Sequence, residues 1–87
     1  MDFDEAVAKV KKLKRRPTDD ELLELYGLYK QAIMGDNTSS KPWIDFKARA
    51  KWESWQKRKG MSSEEVKEQY VKLVQKLIQK YGLINDA

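Results

Sequence analysis

The sequence predicts an all-α domain of four helices. Apolar residues recur at three- and four-residue steps in four separate segments, residues that cap or break helices bound each segment, and no stretch alternates with a period of two. In the first segment Phe3, Ala6, Val10 and Leu13 share a face, Asp2 and Glu5 suit a helix start, and Pro17 stops the run, which predicts a helix over about 3–14. Thr18 followed by Glu21 is a capping-box pattern. Beyond it Leu22, Leu25, Tyr29, Ala32 and Ile33 follow one face as far as Gly35, for a second helix over about 19–34. The turn-rich stretch from Gly35 to Pro42 is loop. A third helix over about 45–58 then places Ala48, Trp52 and Trp55 on one side before Gly60, with the two indoles expected to anchor the core. Ser62 and Glu65 repeat the capping box, and Val66, Tyr70, Leu73, Val74, Leu77, Ile78 and Tyr81 form the longest apolar stripe, for a fourth helix over about 63–81. The connection between the second and third helices is long for a bundle, where ~2–8 residues is usual, so those helices need not be simple antiparallel neighbours.

The chain has 87 residues, enough for one domain over 1–87 and one modest core. Cys and His both number 0, which excludes disulfides, thiolate chemistry, zinc fingers and Ser-His-Asp triads. The acidic start at Asp2, Asp4 and Glu5 is unlike a signal peptide, and no apolar run approaches a membrane span, so a cytoplasmic protein is expected. The net charge of +4 is unevenly spread: residues 1–17 carry +3, 18–40 carry −4, 41–60 carry +5 and 61–87 balance. Two basic segments point to an anionic partner.

Asp19, Asp20, Glu21 and Glu24 cluster at a helix start, where the free amides and the helix dipole stabilise negative charge, and no metal is assigned to them. The remaining acids show no pairing suited to acid/base work, and Ser, Tyr or Lys alone lacks an activating neighbour, so no enzyme activity is expected. More informative are Tyr26, Tyr29 and Lys30 on one side of the second helix, with Lys47 and Lys51 one turn apart on the third. Rings that stack on a base and ammonium groups that meet phosphate suit a nucleotide. The same pattern also fits half-buried core tyrosines beside a solvated lysine face.

The block Tyr26-Gly27-Leu28-Tyr29-Lys30-Gln31-Ala32, then Gly35-Asp36, Asp45-Phe46-Lys47, Ala50-Lys51-Trp52, Trp55, Lys59-Gly60 and Tyr70, resembles the acyl-CoA-binding protein family, from Phe3 to Gly82. The resemblance implies an up-down-down-up four-helix bundle with a long connection between the second and third helices. It implies a monomeric carrier and pool former for medium- to long-chain fatty acyl-CoA esters, without cofactor or metal. Transient contact with membranes or acyl-CoA-using enzymes is implied, and no nucleic acid. By that resemblance Tyr26, Lys30 and Lys51 would surround the ribose 3′-phosphate and Tyr29 would stack on adenine. Lys11 and Tyr70 would border the pantetheine and phosphate path, Leu22 and Leu23 would lie near the acyl chain, and Lys47 would join the binding residues. Phe3, Val10, Leu13, Val71, Val74 and Leu77 would pack the first helix on the fourth.

The chain departs from the family's pattern at Pro42-Trp43-Ile44-Asp45, one residue short and with Trp where Gly is usual, at Arg49 in place of lysine, and at Val66 in place of a small residue. Trp43 has no helical packing role. It is expected to be exposed in the loop. By the resemblance it lies near where the family's acyl cleft opens, where the ring would either cap the acyl chain or obstruct it; capping is the favoured expectation, because a loop aromatic tends to find the nearest apolar surface. Two other function classes fit the composition: a basic helical module binding nucleic acid or an anionic protein surface, and a protein-interaction module anchored by Trp43.

Overall fold

A computed structural model of the chain describes residues 1–84. The last three positions of the domain expected over 1–87 lie outside the described residues. Four helices follow one another: α1 (Phe3–Val10), α2 (Asp19–Met34), α3 (Phe46–Gln56) and α4 (Ser63–Tyr81). Each begins where a short polar side chain can accept from the free amides of the first turn. Asp2 accepts from Glu5 N at 2.8 Å, Asp45 from Lys47 N at 2.9 Å and Ala48 N at 3.2 Å, and Ser62 from Glu65 N at 3.1 Å. The capping box at Thr18 and Glu21 is complete in both directions. At Ser62 only the serine half is made.

The first helix ends at Val10 and not near residue 14. Leu13 is needed elsewhere: it is buried and forms an antiparallel bridge with Leu83, flanked by Lys14 N to Gly82 O at 2.9 Å and Ile84 N to Lys12 O at 2.8 Å. A helical backbone at these positions would direct its amides and carbonyls along the helix axis, so the chain leaves the helix to pair with the segment after α4. The third helix also stops short of the predicted residue 58. Arg58 N bonds Trp55 O and Lys59 N bonds Gln56 O, tightened turns that run into Gly60 at φ 89°.

α1 packs on α4, and α2 packs on both α3 and α4, consistent with up-down-down-up order and a long overhand connection over residues 35–45. The core gathers Ala6, Leu13, Leu25, Leu28, Ala32, Val66, Tyr70, Val74 and Leu77, with Phe3, Val7, Val10 and Val71 against it. Val66 is fully enclosed, so the larger side chain is accommodated. Ile33, expected on the apolar face of α2, is half exposed, and Leu28 fills the core from that helix instead.

Trp52 and Trp55 are not core anchors. Both are half-buried, and their indole N–H groups donate outward to the connection: Trp52 Nε1 to Ser39 O at 2.9 Å, Trp55 Nε1 to Gly35 O at 2.8 Å. Asn37 is buried within the loop, where its carboxamide oxygen takes both N–H and O–H of Ser39 and its nitrogen reaches Trp52 O at 3.5 Å. Asp36 accepts from Gln31 Nε2 at 2.9 Å and Gly60 N at 2.8 Å, which ties the turn after α3 to the end of α2 and holds its carboxyl below the usual range.

Gly27 sits mid-helix in α2 because a β-carbon there would lie 2.4 Å from both the carbonyl oxygen and the hydroxyl of Ser54. Ser54 Oγ in turn donates to Leu23 O at 2.5 Å. Alanine at position 27 gains ~1 kcal/mol of helix propensity, but it must push back a backbone carbonyl, and overpacking of this kind costs about 1–3 kcal/mol or more. Gly27→Ala is therefore expected to lower the urea midpoint, and Ser54→Ala to lose about 1 kcal/mol for the hydrogen bond.

A second clamp joins α2 to the end of α4. Glu21 accepts from Tyr81 Oη at 2.5 Å, from Lys80 Nζ at 2.9 Å and from Thr18 N at 2.8 Å. The tyrosine hydroxyl, followed by the Thr18 amide and Lys80, lowers its carboxyl from 4.5 to about 2. A carboxyl depressed on folding stabilises the fold above its unfolded pKa, and that stabilisation is lost as pH falls from about 4.5 through about 2. Glu21→Gln should unfold more easily than the parent at neutral pH, and denaturant melts at decreasing pH should show the two midpoints converging.

Candidate ligand-binding site

The side chains singled out in the sequence divide among three places. The first is the seam between α2 and α3. Tyr26 and Lys30 are one helical turn apart on α2, and the close approach at Gly27 brings α3 near enough for Lys51 Nζ to lie 5.5 Å from the Tyr26 ring centre. Lys30 Nζ crosses the other way and stands 4.8 Å from the ring of Trp55. Each ammonium rests against an aromatic face, an attraction of about 0.5–1 kcal/mol at exposed sites. Among the described residues neither Lys30 nor Lys51 has a carboxylate partner, whereas Lys41 and Arg49 share Glu53 at 3.2 and 3.4 Å and hold its carboxyl below the usual range. Two cations from different helices, unneutralised and beside a phenol, can receive a dianionic group.

The second place is an aromatic cluster where α1, α2 and α4 meet. Phe3 lies 6.1 Å from Tyr29 and 5.1 Å from Tyr70, and the two tyrosines are 6.3 Å apart; Tyr70 meets the other two rings at 59° and 58°, whereas Phe3 and Tyr29 are inclined by 31°. Tyr29 is half-buried. Tyr70 is only 4% exposed, and burial, aided by Tyr29, raises its phenol to about 12. Among the described residues the polar side-chain atoms buried without a partner are Gln31 Oε1 and Gln56 Oε1. Lys67, which the motif reading missed, stands with its Nζ 5.4 Å from the Phe3 ring. Its position one turn before Tyr70 was the available signal.

The third place concerns the two leucines. Leu22 is half-buried against the core, while Leu23 lines a cavity of about 410 Å³ between α2 and α3 with Ala50, Ser54, Glu53, Lys57 and Arg58. The two adjacent residues therefore face different surroundings. Lys11 is exposed at the end of α1, and Lys47 is exposed in the first turn of α3; neither has a side-chain partner among the described residues. Trp43 is 82% exposed, in keeping with a loop ring that has no packing role.

A family model described as acyl CoA binding protein matches residues 1–74. An acyl-CoA-binding protein homolog of Drosophila melanogaster is 51% identical over 81 residues, covering 92% of this chain and 94% of the relative. Homolog 1 of Caenorhabditis elegans is 49% identical over 83 residues, 94% and 96% of the two chains. Among solved structures, acyl-CoA-binding protein 2 of Oryza sativa superposes with a TM-score of 0.85 at 38% identity, covering 90% of this chain and 86% of that one. These comparisons lend no support to the nucleic-acid alternative.

A buried phenol raised on folding stabilises the fold below its unfolded pKa near 10, and that stabilisation is lost as pH rises through about 12. Ultraviolet titration is expected to show a late tyrosinate step near 12 that disappears in Tyr70→Phe.

Proposed function

Because the chain belongs to the acyl-CoA-binding protein family, we propose that it binds medium- to long-chain fatty acyl-CoA esters as a carrier and pool former, acting as a cytoplasmic monomer and performing no chemistry on them. Among the described residues no helix is long and apolar enough to cross a membrane. The observation that carries the proposal is the pair Lys30 and Lys51, on separate helices, each against an aromatic ring and without a carboxylate partner.

In this reading the ribose 3′-phosphate takes its charge-assisted hydrogen bonds from Tyr26, Lys30 and Lys51, and adenine stacks on Tyr29. Tyr29 is already braced from behind by Phe3 and Tyr70, so little ordering remains when a base arrives. Tyr70 offers its hydroxyl at the edge of the cluster, and Lys11 and Lys47 supply long-range attraction for the remaining phosphates. The acyl chain runs by Leu22 and Leu23. Each enclosed methylene contributes about 0.8 kcal/mol, so two carbons change affinity by up to roughly 15-fold. No cofactor takes part, and the ligand leaves as it arrived, for an enzyme or a membrane.

Calorimetric titration with palmitoyl-CoA tests the proposal, with palmitate and free CoA as controls. Removing the 3′-phosphate leaves donors unpaired, so the dephospho ester should bind more weakly by on the order of 3 kcal/mol, with Lys51→Ala reproducing most of that loss. Equal affinity for the two esters refutes the head-group assignment. At a hundredfold excess over its dissociation constant, palmitoyl-CoA should add about 2.7 kcal/mol to stability and raise the melting midpoint by several degrees.

A further inference from the structure

The largest unclaimed feature of the surface is the segment just before and into α3. Trp43, Ile44 and Phe46 are exposed at 82%, 92% and 82%, and none of them belongs to the core or packs against it. Three large apolar side chains within four residues, interrupted only by Asp45, are a costly thing to leave in water. They are nonetheless held in place. On one side the connection is fastened by the indoles of Trp52 and Trp55 and by Asn37. On the other, Asp45 caps α3, so its carboxylate is engaged with the amides of Lys47 and Ala48.

The charges around this tip favour an anionic partner. Lys41, Lys47 and Arg49 surround it in sequence, and residues 41–60 together carry +5. Of the carboxylates nearby, Glu53 is shared between Lys41 and Arg49, Asp45 serves the helix cap, and Lys47 has no acidic partner among the described residues. A second copy of the chain is disfavoured as the occupant, because two such tips would bring like charges together. An exposed Trp and Phe flanked in sequence by basic residues match the boundary of a bilayer, where aromatic rings sit at headgroup level and lysine and arginine meet lipid phosphates.

We propose that Trp43, Ile44 and Phe46 form a docking tip for anionic lipid bilayers, with Lys41, Lys47 and Arg49 facing the headgroups. The tip deepens the delivery step of the carrier reading, which supplies its purpose. Its test contains no acyl-CoA, so failure here leaves ligand binding standing, and failure of ligand binding leaves the tip standing.

The experiment is flotation of the full chain with vesicles of phosphatidylcholine alone and of about two-thirds phosphatidylcholine and one-third phosphatidylserine. Binding to the anionic vesicles is expected, weakening as salt is raised. The combined variant Trp43→Ser, Ile44→Ser, Phe46→Ser should bind at least about tenfold more weakly while keeping its helical circular dichroism, since the three side chains are exposed and lie outside the core. Lipids brominated in their acyl chains should quench the parent's tryptophan emission, and Trp43→Ser should lose most of that quenching. The proposal is overturned by a parent that does not float with the anionic vesicles or binds neutral ones equally. It is also overturned by a combined variant that binds as well as the parent, or by tip-dependent self-association in sedimentation without vesicle binding.

Discussion

Gly27 of α2 meets Ser54 of α3 at a separation that leaves no room for a β-carbon, and the arrangement of the rest of the molecule follows from that contact. The Ser54 hydroxyl returns a hydrogen bond to Leu23 O, so the approach is secured by a polar bond as well as by fit. Close helix axes have a consequence for function: Lys51 reaches the ring of Tyr26, and Lys30 reaches the ring of Trp55. Wider axes would leave two separate lysines on two helices, each paired with water. A mid-helix glycine that lowers helix stability by about 1 kcal/mol is tolerated because it assembles the cationic seam.

The long connection is the second element on which the seam depends. The tryptophans of α3 use their two chemical characters at once. Their N–H edges hold the loop at Ser39 and Gly35, while their faces receive Lys41 at 5.6 Å and Lys30 at 4.8 Å. Asp36 adds a bond to Gly60 across the far end of α3. A chain segment with few apolar side chains facing inward is thereby fixed by hydrogen bonds, and it can present Trp43, Ile44 and Phe46 outward without collapsing onto the core. The cationic seam of Lys30 and Lys51 thus lies between α2 and α3, apart from the exposed apolar side chains at the start of α3.

The opposite side of the bundle is held differently. α1 is short, eight residues, and would be marginal alone. It is retained by Ala6 and Val10 against α4, by Phe3 in the aromatic cluster, and by the paired backbones around Leu13 and Leu83. The Glu21 clamp to Tyr81 and Lys80 joins the start of α2 to the end of α4. Without cysteine, and with no cluster of metal-ligating side chains among the described residues, the bundle fixes its ends by local polar contacts and its middle by packing, which leaves the rings of Phe3, Tyr29 and Tyr70 braced against one another.

Helix number, the start of each helix and most of the core were legible in the sequence, because caps and apolar spacing are local properties decided within one or two turns. Thr18 with Glu21, Asp45 and Ser62 act where their neighbours require them to. The spacing of Tyr26, Tyr29 and Lys30 on one helix was equally legible, as was the family to which the motif block pointed. What depends on a distant partner was not. Leu13 continues the helical period of α1 yet pairs with Leu83, and Ile33 fits the apolar period of α2 yet faces water, since the neighbouring helices cover only part of that face. Trp52 and Trp55 have the size of core anchors, but their N–H groups needed acceptors that the loop provides. Periodicity determines which residues share a face; which face is covered, and how closely Lys51 comes to Tyr26, is decided only when helices pack, because burial and distance belong to pairs of segments and not to either one.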